Sequence, residues 1–257
     1  MKIETENLVF SYGDKELLQG IDLTLEPGRF TVLLGPNGCG KSTLLKLLTG
    51  ELRPVSGEVR LDGRPVREYS GRERARRMGV VLQSAQPALD FTVSEYVLTG
   101  RNARMSPFAA ASEADRKAVW DALKLFQADH LADRSCTRLS GGERQRMMLA
   151  AAWAAEPEIF LLDEATSATD PAHTFAILKI LRKRARTKTV FMITHDLILA
   201  GNSADRIILM KEGRIYADGT PREVMTEENL QAVYNLQVSV SLAPNGALAI
   251  LPEMETT

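Results

Sequence analysis

Gly35-Pro36-Asn37-Gly38-Cys39-Gly40-Lys41-Ser42 is the stretch whose reading decides the fold. The spacing G-x-x-x-x-G-K-S lets consecutive backbone N–H groups wrap a phosphate at the start of a helix. Before it, the apolar run 30–34 reads as a strand. After it, residues 43–48 read as a helix, which is the context such a loop needs. A nucleoside triphosphate site follows. Gly35, Gly38 and Gly40 permit backbone angles and a close approach to oxygen that a Cβ would obstruct, and Pro36 and Asn37 belong to the same cradle. Lys41 is expected to reach the β- and γ-phosphates, Ser42 to complete the shell of a Mg²⁺ ion, and Thr43 to lie near the α-phosphate. Cys39 has two readings, a small filler or a thiol whose pKa a helix N-terminus and a neighbouring lysine lower.

Composition sets the bounds. The 257 residues are 44% hydrophobic and 25% charged, which fits one large domain or two intimately joined ones. With 32 Lys+Arg against 33 Asp+Glu, the net charge of −1 points away from nucleic acid. The basic runs 72–77 and 182–186 read as solvated helix faces. No apolar stretch reaches the roughly 18 residues of a membrane span, and residues 1–6 lack signal-peptide character, so the chain is expected in the cytoplasm. Cys39 and Cys136 suggest no disulfide framework, and His130, His173 and His195 have no metal-ligand spacing.

A second phosphate-handling motif is Ile159-Phe160-Leu161-Leu162-Asp163-Glu164, a continuous apolar strand ending in two carboxylates. In a phosphate-loop ATPase the first acid, Asp163, holds magnesium through its water shell, and the second, Glu164, polarises an attacking water. The competing reading is a pair of capping carboxylates before residues 165–167.

Leu139-Ser140-Gly141-Gly142-Glu143-Arg144-Gln145-Arg146 resembles the signature L-S-G-G-[EQ]-x-Q-R of the ATP-binding cassette (ABC) proteins. Physically, Ser140, Gly141 and Gly142 open a helix, so exposed N–H groups and a hydroxyl form a further anion-binding end. The resemblance implies that this end binds the γ-phosphate held by a second copy of the chain, sandwiching ATP in a homodimer. It also implies that Tyr12 stacks on adenine, although core burial competes. By the same likeness Gln83 contacts magnesium and water and senses a membrane partner, and His195 is the switch histidine on the γ-phosphate. Ser167-Ala168-Thr169-Asp170 is similar to the loop that crosses between subunits, usually S-A-L-D. Thr169 departs from that pattern while Asp170 keeps it, which weakens apolar packing at the crossing.

The fold expected is α/β, a phosphate-loop ATPase core of the ABC type with a helical subdomain and a small antiparallel β region. The core covers about 1–91 and 157–225, the helical part about 92–156 and a C-terminal extension about 226–257, within one ABC ATPase domain. Alternation at Val238, Val240 and Leu242, a turn at 244–246 and a return through 247–251 predict a terminal hairpin.

Residues 91–101, FTVSEYVLTGR, resemble the pattern F-T-V-x-[ED]-x-V-x-x-G-R of the importer subfamily for siderophores, haem, cobalamin and related chelates, and 235–238 resemble its tail. That likeness implies an ATPase using ATP and Mg²⁺. It would power import through separate permease subunits, indirectly with a substrate-binding protein, peripheral at the cytoplasmic face of the inner membrane. The segment 83–101 is the expected docking surface. A soluble ABC ATPase acting on nucleic acid or ribosomes is the alternative, and a catalytically dead regulatory cassette a second. Neither a long coiled coil nor a tandem cassette supports the former, and Lys41, Asp163, Glu164 and His195 disfavour the latter.

Overall fold

A computed structural model describes residues 1–82, 91–106 and 109–252. Packing divides the chain into two compact units, Met1–Glu68 with Leu181–Thr257, and Tyr69–Ile180.

In the first unit, β1 (Ile3–Tyr12) and β2 (Lys15–Leu25) form an antiparallel pair, with Ile3, Leu8, Leu18, Ile21 and Leu25 on the buried side. The five residues of β3 (Phe30–Leu34) are all buried, as a central parallel strand requires, and the phosphate loop leads directly into α1 (Lys41–Leu48). β4 (Ser56–Leu61) pairs antiparallel with β1, and the two-residue β5 (Arg64–Pro65) with β4, forming the small antiparallel region.

The second unit begins with α2 (Gly71–Arg77) and β6 (Met78–Val81). α3 (Val93–Thr99), α4 (Glu113–Leu125) and α5 (Gly141–Ala154) are packed together, as the helix-rich reading of this region predicts. Each of these three starts with a reciprocal capping box: Thr92 with Glu95, Ser112 with Asp115, and Ser140 with Glu143. β7 (Ile159–Asp163) is buried throughout and runs parallel to β6, with Val81 opposite Leu162. Trp153 joins the ring of Phe126 at 5.6 Å to that of Phe160 at 5.2 Å, so an aromatic chain ties helices to strand. The arginines of α2 are not simply a solvated face. Arg72 and Arg76 donate to the carbonyl of Ala103, and Arg74 to that of Tyr69, so they fasten backbone turns.

α6 (Pro171–Ala185) returns the chain to the first unit. There β8 (Thr189–Ile193) and β9 (Arg206–Lys211) flank β3 in parallel, separated by α7 (Leu197–Ser203). β10 (Arg214–Gly219), which the sequence reading did not separate, adds antiparallel to β9. The short α8 (Pro221–Val224) and α9 (Glu227–Tyr234) precede the terminal hairpin, β11 (Val238–Leu242) paired with β12 (Leu248–Pro252). Gly246 N–H donates to Ala243 at 2.8 Å and closes the expected turn.

Candidate nucleotide site

The phosphate loop and His195 emerge side by side from the first unit's sheet. Leu33 is opposite Ile193, and Thr194 N–H donates to Leu33 O at 3.3 Å, so Gly35 and His195 follow adjacent parallel strands at the same edge. Gly35 has no room for a side chain, because a Cβ would stand 2.4 Å from the carbonyl oxygen of Met210. Gly40 is the N-cap of α1 in the left-handed region, at φ 103°, and brings no capping side chain. The first amides of α1 are therefore left for an anion. Lys41 Nζ folds onto the loop's own carbonyls, 2.6 Å from Gly35 O and 2.9 Å from Pro36 O. Asn37, Gly38 and Ser42 are exposed, and Thr43 is buried.

Two open readings narrow here. Tyr12 is 54% exposed and meets Phe10 edge-on at 4.8 Å, which removes core burial and leaves a free ring face. Cys39 is buried, and burial pushes its thiol pKa up against the opposing pull of Lys41. Of the two readings of Cys39, the buried small filler stands and the lowered thiol pKa does not.

The second unit assembles the other motifs. Asp163 ends β7 buried, and Glu164 follows it half-buried at φ 52°, a left-handed conformation that costs a non-glycine residue about 1 kcal/mol or more. Gln145 Nε2 donates to Glu164 O at 2.9 Å, fastening the signature helix to this turn. The sequence quoted Gln145 within the motif, but a side-chain-to-backbone bond of this kind leaves no periodic signal. Gly142 lies so close to the 167–170 loop that a Cβ would be 3.0 Å from Ala168 O. Glu164, the signature and the 167–170 loop thus form one local cluster.

Ser140 and Gly141 are exposed at the mouth of α5. Glu143 N–H donates to Ser140 Oγ at 3.3 Å and Ser140 N–H to Glu143 Oε2 at 2.7 Å. The latter bond holds the Glu143 carboxyl below its ordinary range. The serine is therefore a true N-cap as well as a signature residue. Thr169, in place of the usual leucine, donates to Thr166 O at 2.9 Å and pairs with Thr174 Oγ1 at 2.8 Å, so a polar staple replaces apolar packing. Asp170 caps α6 through His173 N–H at 3.0 Å, which lowers its pKa. Gln83 lies outside the described residues, as do residues 84–90 of the expected docking segment.

Six of the seven defined letters of the importer-like pattern at 91–101 have a structural explanation. Thr92 and Glu95 cap α3, Val93 and Val97 are buried, and a Cβ on Gly100 would sit 2.2 Å from Ala151 O. Arg101 is buried rather than presented to a partner. It bonds Asp115 at 2.9 Å, Glu156 at 2.7 Å and Ala154 O at 2.8 Å.

The family description "ABC transporter" matches residues 18–167. The chain belongs to the ABC transporter family. This cassette is 44% identical over 248 residues to the hemin import ATP-binding protein HmuV of Pseudomonas entomophila (strain L48), covering 94% of this chain and 96% of that one. A metal-chelate type ABC transporter solved in an inward-facing conformation superposes with a TM-score of 0.84 at 32% identity, covering 99% of this chain and 98% of that chain. An ATP-binding cassette solved as a dimer in a post-hydrolysis state with ADP and Pi gives 0.77 at 29% identity, covering 86% of this chain and 99% of that chain. The cassette is an ATP-binding ATPase of α/β fold. Among the described residues no helix is long and apolar enough to cross a membrane.

Proposed function

We propose that this cassette hydrolyses ATP between two copies of itself and thereby drives import of a metal chelate, such as haem, through separate permease subunits at the cytoplasmic face of the membrane. The observation that carries the cargo class is the likeness, over nearly the whole chain, to a hemin import ATP-binding protein. In this reading Tyr12 stacks on adenine, residues 35–43 hold the phosphates, and Ser140, Gly141, Gly142 and Asp170 close over nucleotide held by the other copy. Glu164 accepts a proton from the attacking water, and Gln83 and His195 face the γ-phosphate.

Ser42, Asp163 and Gln83 are assigned to Mg²⁺. A hydroxyl and a carboxylate are the hard oxygen donors this ion prefers, and no group of three or more acidic, His or Cys ligands occurs among the described residues. That suits an ion held largely by nucleotide phosphates, where it would neutralise charge on the β- and γ-oxygens. The proposed division is a core of about 1–91 and 157–225, a helical subdomain of about 92–156 and an extension of about 226–257. The permease is proposed to dock on 83–101, and a substrate-binding protein to act through the permease.

Uptake of radiolabelled iron as haem or ferric chelate by cells lacking the chain tests the reading. Wild-type chain should restore uptake and Glu164→Gln should not. Undiminished uptake of every such chelate in the deletion would overturn the cargo assignment.

A further inference from the structure

The C-terminal extension is fastened to the rest of the first unit at two places, one beside the phosphate loop and one on the helix that follows His195. Tyr234, the last residue of α9, places its hydroxyl in a fully buried position against the Gly35 peptide, a contact short of full hydrogen-bond geometry. Burial pushes the phenol pKa upward, so the group stays neutral. The same helix is tied to the strand beside the loop, because Lys211 Nζ donates to Ala232 O at 2.9 Å, one residue after the Met210 carbonyl that confines Gly35.

The second place is the hairpin. Asn202 on α7 donates to Leu248 O at 2.9 Å and accepts from Leu248 N–H at 2.8 Å, so its amide imitates a strand partner for β12. Gly201 lets that approach happen, since a Cβ there would meet Leu248 Cδ2 at 2.9 Å. α7 begins at Asp196, whose carboxylate caps Leu199 N–H at 2.8 Å, immediately after His195. Glu227 of α9 accepts from Val240 N–H of β11 at 2.8 Å, joining the two attachments into one piece.

We propose that the C-terminal extension is a two-point brace in which Tyr234 positions the phosphate loop and Asn202 positions the switch histidine. This rests on the proposed roles of the loop and His195. A buried hydroxyl without a well-formed bond is costly, and phenylalanine would fill the same space without that cost, so the oxygen is explained by what it faces. The two residues act through other groups and differ in what they should change. Gly35 belongs to binding and His195 to turnover.

The experiment measures ATPase kinetics, ATP affinity by a fluorescent analogue, and melting temperature for the purified full chain. Tyr234→Phe should raise half-saturation by ATP about fivefold, with kcat nearly unchanged and no loss of melting temperature. Asn202→Ala should lower kcat about fivefold with ATP affinity unchanged. Wild-type constants for either variant, or joint loss of affinity and kcat in step with melting temperature, would overturn the brace. His195→Ala and Lys41→Ala measured alongside separate the readings: a His195→Ala variant with wild-type kcat means the histidine assignment has failed rather than the Asn202 arm, and Lys41→Ala does the same for the loop. If Lys41→Ala leaves ATP affinity intact, the phosphate-loop assignment itself has failed; if it weakens affinity while Tyr234→Phe does not, only the brace has failed.

Discussion

The two helix ends proposed to hold nucleotide are finished in opposite ways. α1 starts at Gly40, with no capping side chain and no acidic residue in its first turn, and its lysine is occupied with loop carbonyls. α5 starts with a complete capping box, its Glu143 carboxylate already spent on Ser140 N–H, and with Ser140 and Gly141 exposed. The first end has donors to give and takes its final arrangement from an anion. The second is already capped by its own side chains, in keeping with the proposal that it closes on a nucleotide held by another copy. Binding and closure are thus assigned to different units of the chain, and substitutions should separate them.

The largest separation is expected at the turn after β7. Glu164→Gln keeps the shape of the side chain but removes its basicity, so turnover should fall by about 10²- to 10⁴-fold while ATP binding persists. Sedimentation with MgATP should then show an ATP-bound dimer, and a monomer with undiminished hydrolysis would remove Glu164 from its role. A smaller effect distinguishes the helix ends themselves. Lys41→Ala should weaken ATP binding to the isolated chain by about tenfold or more, through loss of a charge-assisted contact. Ser140→Arg should leave that binding within about twofold and abolish ATP-dependent dimerisation. Equal losses of affinity in both variants would erase the distinction between the two ends.

The smallest effect is one of pH. The Glu143 pKa is depressed below its ordinary 4.5, chiefly by the Ser140 N–H. Its stabilisation is therefore full above that value and is lost as pH falls through the depressed one. The difference in melting temperature between wild type and Glu143→Gln should be constant near neutrality and shrink in acid. A difference independent of pH would mean that the capping box owes nothing to charge.

Legibility from the sequence followed the same division. The phosphate loop, the carboxylates at the end of β7 and the signature lie in contiguous strings at fixed offsets from apolar runs, so their placement at strand and helix ends was readable. Long-range and side-chain-to-backbone interactions were not. Nothing local marks Arg101 as buried between Asp115 and Glu156, Gln145 as a tie to the Glu164 carbonyl, or Tyr234 as a neighbour of Gly35. Cys39 left two readings open in sequence, a small filler and an activated thiol, and the packing around it decides for the filler.

Whether the two ends belong to one composite site is tested most directly by mixing. Lys41→Ala spoils the phosphate loop and keeps the signature, while Ser140→Arg does the reverse, so a mixed dimer contains one intact pair and one doubly damaged pair. Neither variant alone should hydrolyse ATP appreciably, and the mixture should recover measurable, partial hydrolysis. A mixture as inactive as its components, under conditions where wild-type chains dimerise and turn over, would contradict a site shared between two copies.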